Sequence, residues 1–365
     1  MGKDNFWQQI CFFTLFVFAF TFTIRAQYKI EVLDSNAFQL GEGVVLHKTS
    51  FRGLSVVNDQ TIWVSGSRGT IARSVDGGQT FVYKQLKGYE KSDFRDIEAF
   101  DSKRAIVMSS GTPALILKTS DGGETWKEVF RKNDSAYFLD AMDFWDEKRG
   151  MLVGDPIHNH FVLLQTTDGG ETWQELDTSQ TPIAMEGEAV FAASGTSLRC
   201  WGKNEYGIVT GGTKARFIRH LVKWESLNLP LPQGDNGQGA FSFVKLNKDN
   251  YFIVGGDYKC DTCASNPTSC VTIKGYGDLY KDSIIVRTQY GNQDYKSSIE
   301  LISKTQYVAV GTQGVYMNKT KCNRDWYFWV NAKISSEPFH VVRKAKKGKS
   351  VFLAGPKGKI GKLVY

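Results

Sequence analysis

Three eight-residue segments nearly coincide: Ser74-Val-Asp-Gly-Gly-Gln-Thr-Phe81, Thr119-Ser-Asp-Gly-Gly-Glu-Thr-Trp126 and Thr166-Thr-Asp-Gly-Gly-Glu-Thr-Trp173. Their aspartates, Asp76, Asp121 and Asp168, are 45 and 47 residues apart. A period of that size means the chain is built from repeated supersecondary units, and it excludes most other folds. Each segment lies between two strand-like runs, such as Ala114-Leu-Ile-Leu-Lys-Thr119 before and Trp126-Lys-Glu-Val after. Each therefore reads as the turn of a hairpin. The aspartate accepts backbone N–H groups across the turn, and the paired glycines supply positive φ.

A second strand pair precedes each hairpin. In the first unit it is Phe51-Arg-Gly-Leu-Ser-Val-Val, turn Asn58-Asp-Gln, then Thr61-Ile-Trp-Val-Ser-Gly66. The runs from Phe94 and Phe138 repeat it. Four strands in about 45 residues, with fixed turn chemistry, is the pattern of a β-propeller blade. Weaker copies start at Glu186-Gly-Glu-Ala-Val-Phe, near Phe241, at Ser298 and at Phe339. The expected fold is all-β, a seven-bladed β-propeller over residues 27–365, six being the rival count. The last unit is about one strand short, and Tyr28 to Val45 is expected to supply that strand and close the ring.

The turn segments resemble the Asp-box (BNR) repeat of sialidase-type propellers. Phe-Arg-Gly-Leu, Phe-Leu-Asp-Ala-Met-Asp-Phe-Trp-Asp and Val-Gly-Asp-Pro are more similar to the photosystem II stability/assembly-factor-like family, in its secreted bacterial form. The likeness spans residues 27–365. It implies a propeller scaffold that binds a protein or peptide, assigns the three box aspartates to structure, and says little about catalysis.

Composition sets the compartment and the partners. The run Ile10–Ile24 is about 15 residues of mostly Phe, Leu and Val, short of the roughly 20 that span a bilayer. With Ala26 before Gln27, residues 1–26 read as a secretory signal peptide, so a secreted or periplasmic protein is expected. The whole chain has a net charge of +7. From Pro338 to Tyr365 there are eight Lys or Arg and no acid, so the surplus is a local patch. No reader motif accompanies it, and a nucleic-acid partner is excluded. The run Arg343-Lys-Ala-Lys-Lys-Gly-Lys349 falls in a first-to-second strand turn, read as solvated or as a peripheral contact to an acidic surface.

In a propeller the first strand of each blade lines the channel, and the box turns lie on the face opposite the channel mouth. Aligned first-strand starts place Arg52, Arg95, Lys296 and His340 at that mouth, with Asp140, Glu186 and Glu188 beside them. Asp155 and Asp257 sit in second-to-third strand turns on the same side. Alternating cations and carboxylates there suit an anionic ligand, a peptide or a glycan, against the bland reading that they pair across the ring. His158 and His160 with Asp155 have a metal-like composition, but ordinary loop polarity is favoured and no metal or cofactor is expected. Cys260, Cys263 and Cys270 lie in an insertion at about 257–280, where a loop disulfide is preferred to zinc. The second functional reading is a sialidase-like glycoside hydrolase acting on extracellular glycans. It would use two of Asp140, Asp155, Glu186, Glu188 and Asp257. No Arg-Ile-Pro motif occurs, so no catalytic residue is assigned and a monomeric binding scaffold is preferred.

Overall fold

The computed structural model describes residues 28–33, 38–247, 250–260, 270–275, 284–288, 294–304, 306–319, 321–322, 327–328 and 332–364. The proposed leader at 1–26, Cys263 and most of the cysteine insertion lie outside them. Among the described residues there is no α-helix, and no helix is long and apolar enough to cross a membrane.

The hydrophobic runs form four-stranded antiparallel sheets in chain order. Blade one contains Phe51–Val56, Ile62–Gly66, Thr70–Ser74 and Phe81–Gln85, with Phe38–Leu40 added in parallel at its outer edge. Blade two runs from Asp93–Ala99 to Lys127–Lys132, and blade three from Leu139–Phe144 to Gln174–Glu175. Blade four starts at Leu198–Trp201 and ends at Trp224–Asn228. Blade five holds Asp235–Lys245, Asn250–Asp257, Cys270–Gly275 and Ile284–Thr288, and blade six runs from Ser298–Ser303 to Ala332–Ser335. Blade seven takes Val341–Lys344, Val351–Ala354 and Ile360–Val364 from the end of the chain and Lys29–Val32 from its beginning. The innermost strands pack one against the next, and Phe51–Val56 also packs on Val341–Lys344. These contacts bring the two ends of the array together. Leu54, Ile97, Ala141, Phe243, Ile299 and Val341, one from each of six inner strands, are fully buried.

The box turns show why their residues recur. The Thr166 hydroxyl donates to Asp168 Oδ1 at 2.9 Å and accepts the N–H of Gly170 at 2.8 Å, while the Thr172 hydroxyl donates to Asp168 Oδ2 at 2.6 Å. Ser74, Asp76 and Thr80 repeat this set, as do Thr119, Asp121 and Thr125. Gly169 and Gly170 have φ of 74° and 79°, a region costly for other residues. Gly170 also abuts Ile106 of the preceding blade, so closely that a Cβ would lie 2.2 Å from its Cδ1. Each turn therefore closes its own hairpin and fixes the neighbouring blade.

One expectation changes. The Glu186–Phe191 run does not begin blade four. Glu188–Ala189 instead pairs with Gly211–Gly212, and the chain from Val190 to Ser197 crosses the channel before Leu198. Its alternation of polar and apolar residues imitates a strand because Val190 and Ala192 are buried, Val190 packing with strand residues of blades three and four such as Ala141, Val153 and Leu198.

Candidate functional site at the channel mouth

Arg52 and Arg95 enter the mouth from the inner strands of blades one and two. Arg52 Nη1 donates to the Ala193 carbonyl at 3.3 Å, and Arg95 Nη1 to the Ala192 carbonyl at 3.2 Å. Arg95 Nε also bonds Asp93 Oδ2 at 2.7 Å. Burial and the Arg95 charge hold Arg52 below its ordinary pKa, with Tyr295 and Asp93 acting the other way. Burial, then Arg52 and Arg95, push the His340 imidazole down to about 3, so it stays neutral. Asp140 is fully buried; burial and the nearby Asp155 push its carboxyl well above the usual range, against Arg95. Burial raises Asp155 to about 6 although it accepts the Val190 N–H at 3.0 Å. Two guanidiniums thus share the mouth with one paired carboxylate, Asp93, and with Asp140 and Asp155, which burial shifts toward their neutral forms, so the positive charge is in excess.

An aromatic wall adjoins this floor. Phe191 stacks on Phe241 with centroids 4.0 Å apart, and Tyr258, 49% exposed, meets both rings edge-on. Tyr295 packs against Phe241 at 4.7 Å.

Arg52, Arg95, Asp140, Asp155 and His340 therefore converge. The other nominated residues do not join them. Lys296 is buried, donates to the Asp294 carbonyl at 3.0 Å and lies 4.1 Å from the Tyr316 ring centroid. Asp257 accepts from Gln238 and from the Lys259 N–H. The Glu186 side chain is exposed. Glu188 is held by Arg216 through Nε at 2.8 Å and Nη2 at 2.5 Å, and accepts the Thr210 hydroxyl. That buried, bidentate pair ties Glu188 to blade four. His160 Nδ1 lies 3.2 Å from the Thr181 hydroxyl, and among the described residues no three His, Cys, Asp or Glu side chains are grouped to hold a metal. Cys260 is disulfide-bonded, and Cys200 is a free thiol.

The sequence reading missed the segment that organises the mouth. Val190 to Ser197 bonds to blades around the ring. Besides the two arginines and Asp155, the Ser194 hydroxyl donates to Ser297 O at 2.8 Å, Thr196 Oγ1 to Ser242 Oγ at 2.5 Å, and Gly195 O accepts from Arg343 at 3.1 Å. The only available signal was composition: Ala-Ala-Ser-Gly-Thr-Ser is a run of side chains small enough for the axis. Arg343 itself is 5% exposed and lies inside the ring, not in a solvated turn, with Nη1 3.9 Å from Glu300. Lys346 bonds Glu98 and the Ala99 carbonyl. The basic run is therefore partly spent on channel carboxylates.

Residues 96–182 match the family described as photosynthesis system II assembly factor YCF48. Over that segment the chain resembles this family, and the whole chain has a propeller fold. Among solved structures it superposes on YCF48 bound to D1 peptide with TM-score 0.61 at 13% identity, covering 93% of this chain and 95% of that one. YCF48 from Cyanidioschyzon merolae gives TM-score 0.61 at 12% identity, over 92% and 98%. A catalytically inactive virginiamycin B lyase from Staphylococcus aureus with quinupristin gives 0.62 at 11%, over 93% and 99%. At such identities the structural likeness establishes the fold, shared by a YCF48-like binding protein and a lyase alike. No curated protein sequence matches the chain.

Proposed function

We propose that this YCF48-like propeller is an exported, non-catalytic scaffold that holds a protein partner by an acidic or C-terminal peptide at the Arg52–Arg95 mouth. The observation that carries the reading is that two guanidiniums, Arg52 and Arg95, enter the mouth from adjacent blades and bond consecutive carbonyls, Ala193 and Ala192, of the crossing strip. Electrostatic complementarity of this kind chooses partners and speeds encounter. The YCF48 structure with a D1 peptide supports a peptide as the ligand class. Hydrolysis of glycans has less support: Glu188 is committed to Arg216, Asp257 to Gln238 and Lys259, and Asp140 is buried.

The test titrates fluorescent acidic peptides, with free or amidated C-termini, into the full chain and reads anisotropy. Arg52→Ala and Arg95→Ala should each weaken binding about tenfold, the scale of one lost charge-assisted hydrogen bond, and added salt should weaken it further. Unchanged affinity in both variants would remove the mouth from consideration. Export is checked by N-terminal sequencing of protein recovered outside the cytoplasm, which should begin at Gln27.

A further inference from the structure

Blade four lacks a box turn, and the place where it would dock is a cavity. Register fixes the equivalence. Ser74, Thr119 and Thr166 pair with Ile62, Ala105 and Gly150, and in blade four His220 pairs with Tyr206 at the same position. From Thr166 the chain takes seven residues to return at Trp173. From His220 it returns at Trp224, directly opposite, so the Asp-Gly-Gly loop is missing.

At the junctions of blades one and two and of blades two and three that loop fills a receptacle on the preceding blade. Blade two's loop sits on Trp63, Arg73 and Lys84: Lys84 pairs with Glu124 at 2.6 Å and donates to Gly123 O at 3.4 Å, Gly123 lies under the Trp63 ring, and Gly122 lies against Arg73, whose Nη1 donates to Ser102 O of the adjoining turn at 2.6 Å. About 20 Å³ is left over. Blade three's loop sits on blade two in the same way, with Lys118 donating to Gly169 O and pairing with Glu171. On blade three the corresponding residues are Met151, Gln165 and Leu176. They face a cavity of about 260 Å³. The Lys84 position, which receives a box glutamate and a box carbonyl in blade one, has become an alkyl chain, and the position held by Arg73 and Lys118 has become an amide.

The lining defines the guest. Trp145, Tyr206 and His220 bring aromatic rings, Tyr206 stacking on His220 at 5.3 Å and meeting Trp145 edge-on at 5.7 Å. Gln165, Gln180 and Asn204 bring amides that both donate and accept. Arg149 is already satisfied by Asp146, the Lys203 carbonyl and Asn204, so no free cation calls for an anion. His220 Nδ1 is shielded from water and makes no hydrogen bond. Burial lowers the His220 pKa and keeps the ring neutral. A wholly apolar guest would leave the amides unpaired, which costs free energy. A ring with C–H faces and hydroxyl edges satisfies both kinds of wall, and the volume is at the small end for ligand pockets.

We propose that the blade three–blade four junction binds a neutral hydroxylated ring, a single hexose unit of a glycan. The site is independent of the Arg52–Arg95 mouth.

Glucose, galactose and N-acetylglucosamine are titrated separately into the full chain, with tryptophan fluorescence and calorimetry as readouts. At least one should bind saturably. Met151→Trp, which restores the side chain found in blade one, should weaken that binding tenfold or more. Because a new indole can upset folding, Gln180→Ala and Asn204→Ala, both at exposed positions, are combined in a second variant. It should keep the wild-type melting temperature and lose at least fivefold in affinity. The proposal fails if none of the three sugars binds, if the double variant binds as wild type, or if indole saturates the cavity while the sugars do not.

Discussion

Asp155 shows how a single carboxyl can be read from its surroundings. Burial raises it from 3.8 to about 6, so the folded state favours the protonated acid. Stability is therefore full below the unfolded pKa and is lost as pH rises toward 6, by up to about 3 kcal/mol for two pK units. Asp155→Asn keeps an oxygen for the Val190 N–H and removes the charge. It should raise the denaturation midpoint at pH 8 and change it little at pH 3.5; an equal effect at both would contradict the assignment. Asp168 has the opposite sign. Partial desolvation would raise it, but the Thr172 hydroxyl and N–H and the Thr166 hydroxyl outweigh that and hold it at about 2. Its contribution is present above pH 4 and disappears only as pH falls through about 2. Asp168→Ala should cost about 1 kcal/mol, comparable to a lost helix cap, and the loss is measured by urea denaturation at pH 7. The box aspartates were legible because a local turn writes its needs into adjacent residues. Glu188 was not, since its partner Arg216 is 28 residues away and belongs to a neighbouring strand.

Strands and turns divide along the same line. Blades one to three could be read from their spacing because each carries its own turn chemistry. The start of blade four could not, because Val190 to Ser197 takes its conformation from residues of other blades. Gly195 is the sensitive point of that crossing. It has φ of 63°, and a Cβ there would fall 2.2 Å from the Asp96 carboxyl. Gly195→Ala combines backbone strain with a buried clash, so it should lower stability by about 2 kcal/mol or more. Gly88→Ala has the same positive φ but open space around it. It should cost about 1 kcal/mol, and similar losses in the two variants would argue against a packed crossing. For the mouth, the inner-strand arginines were legible by alignment, whereas Tyr295 and the carbonyls of Ala192 and Ala193 were not.

At the scale of the molecule, the pairing of Lys29–Val32 with Ile360–Val364 joins the two ends of the chain in one sheet. Deleting residues 29–32 leaves Ile360–Val364 as an open edge with unpaired N–H and C=O groups. The truncated protein should melt several degrees lower and form oligomers at concentrations where the full chain does not, measured by calorimetry and light scattering. If its melting temperature were unchanged, the seam would not be contributing to stability.

The strip from Val190 to Ser197 bears on how the ring comes apart. Bonds from Arg52, Arg95, Asp155, Ser242, Ser297 and Arg343 meet on it, and it runs straight into blade four, so the wheel has a hub as well as a rim. A torus held only at its circumference would unwind sector by sector once the seam parted. With spokes to a common axle, the first sector to leave weakens the anchorage of the rest, and pulling on the chain ends should give one large force peak instead of a staircase.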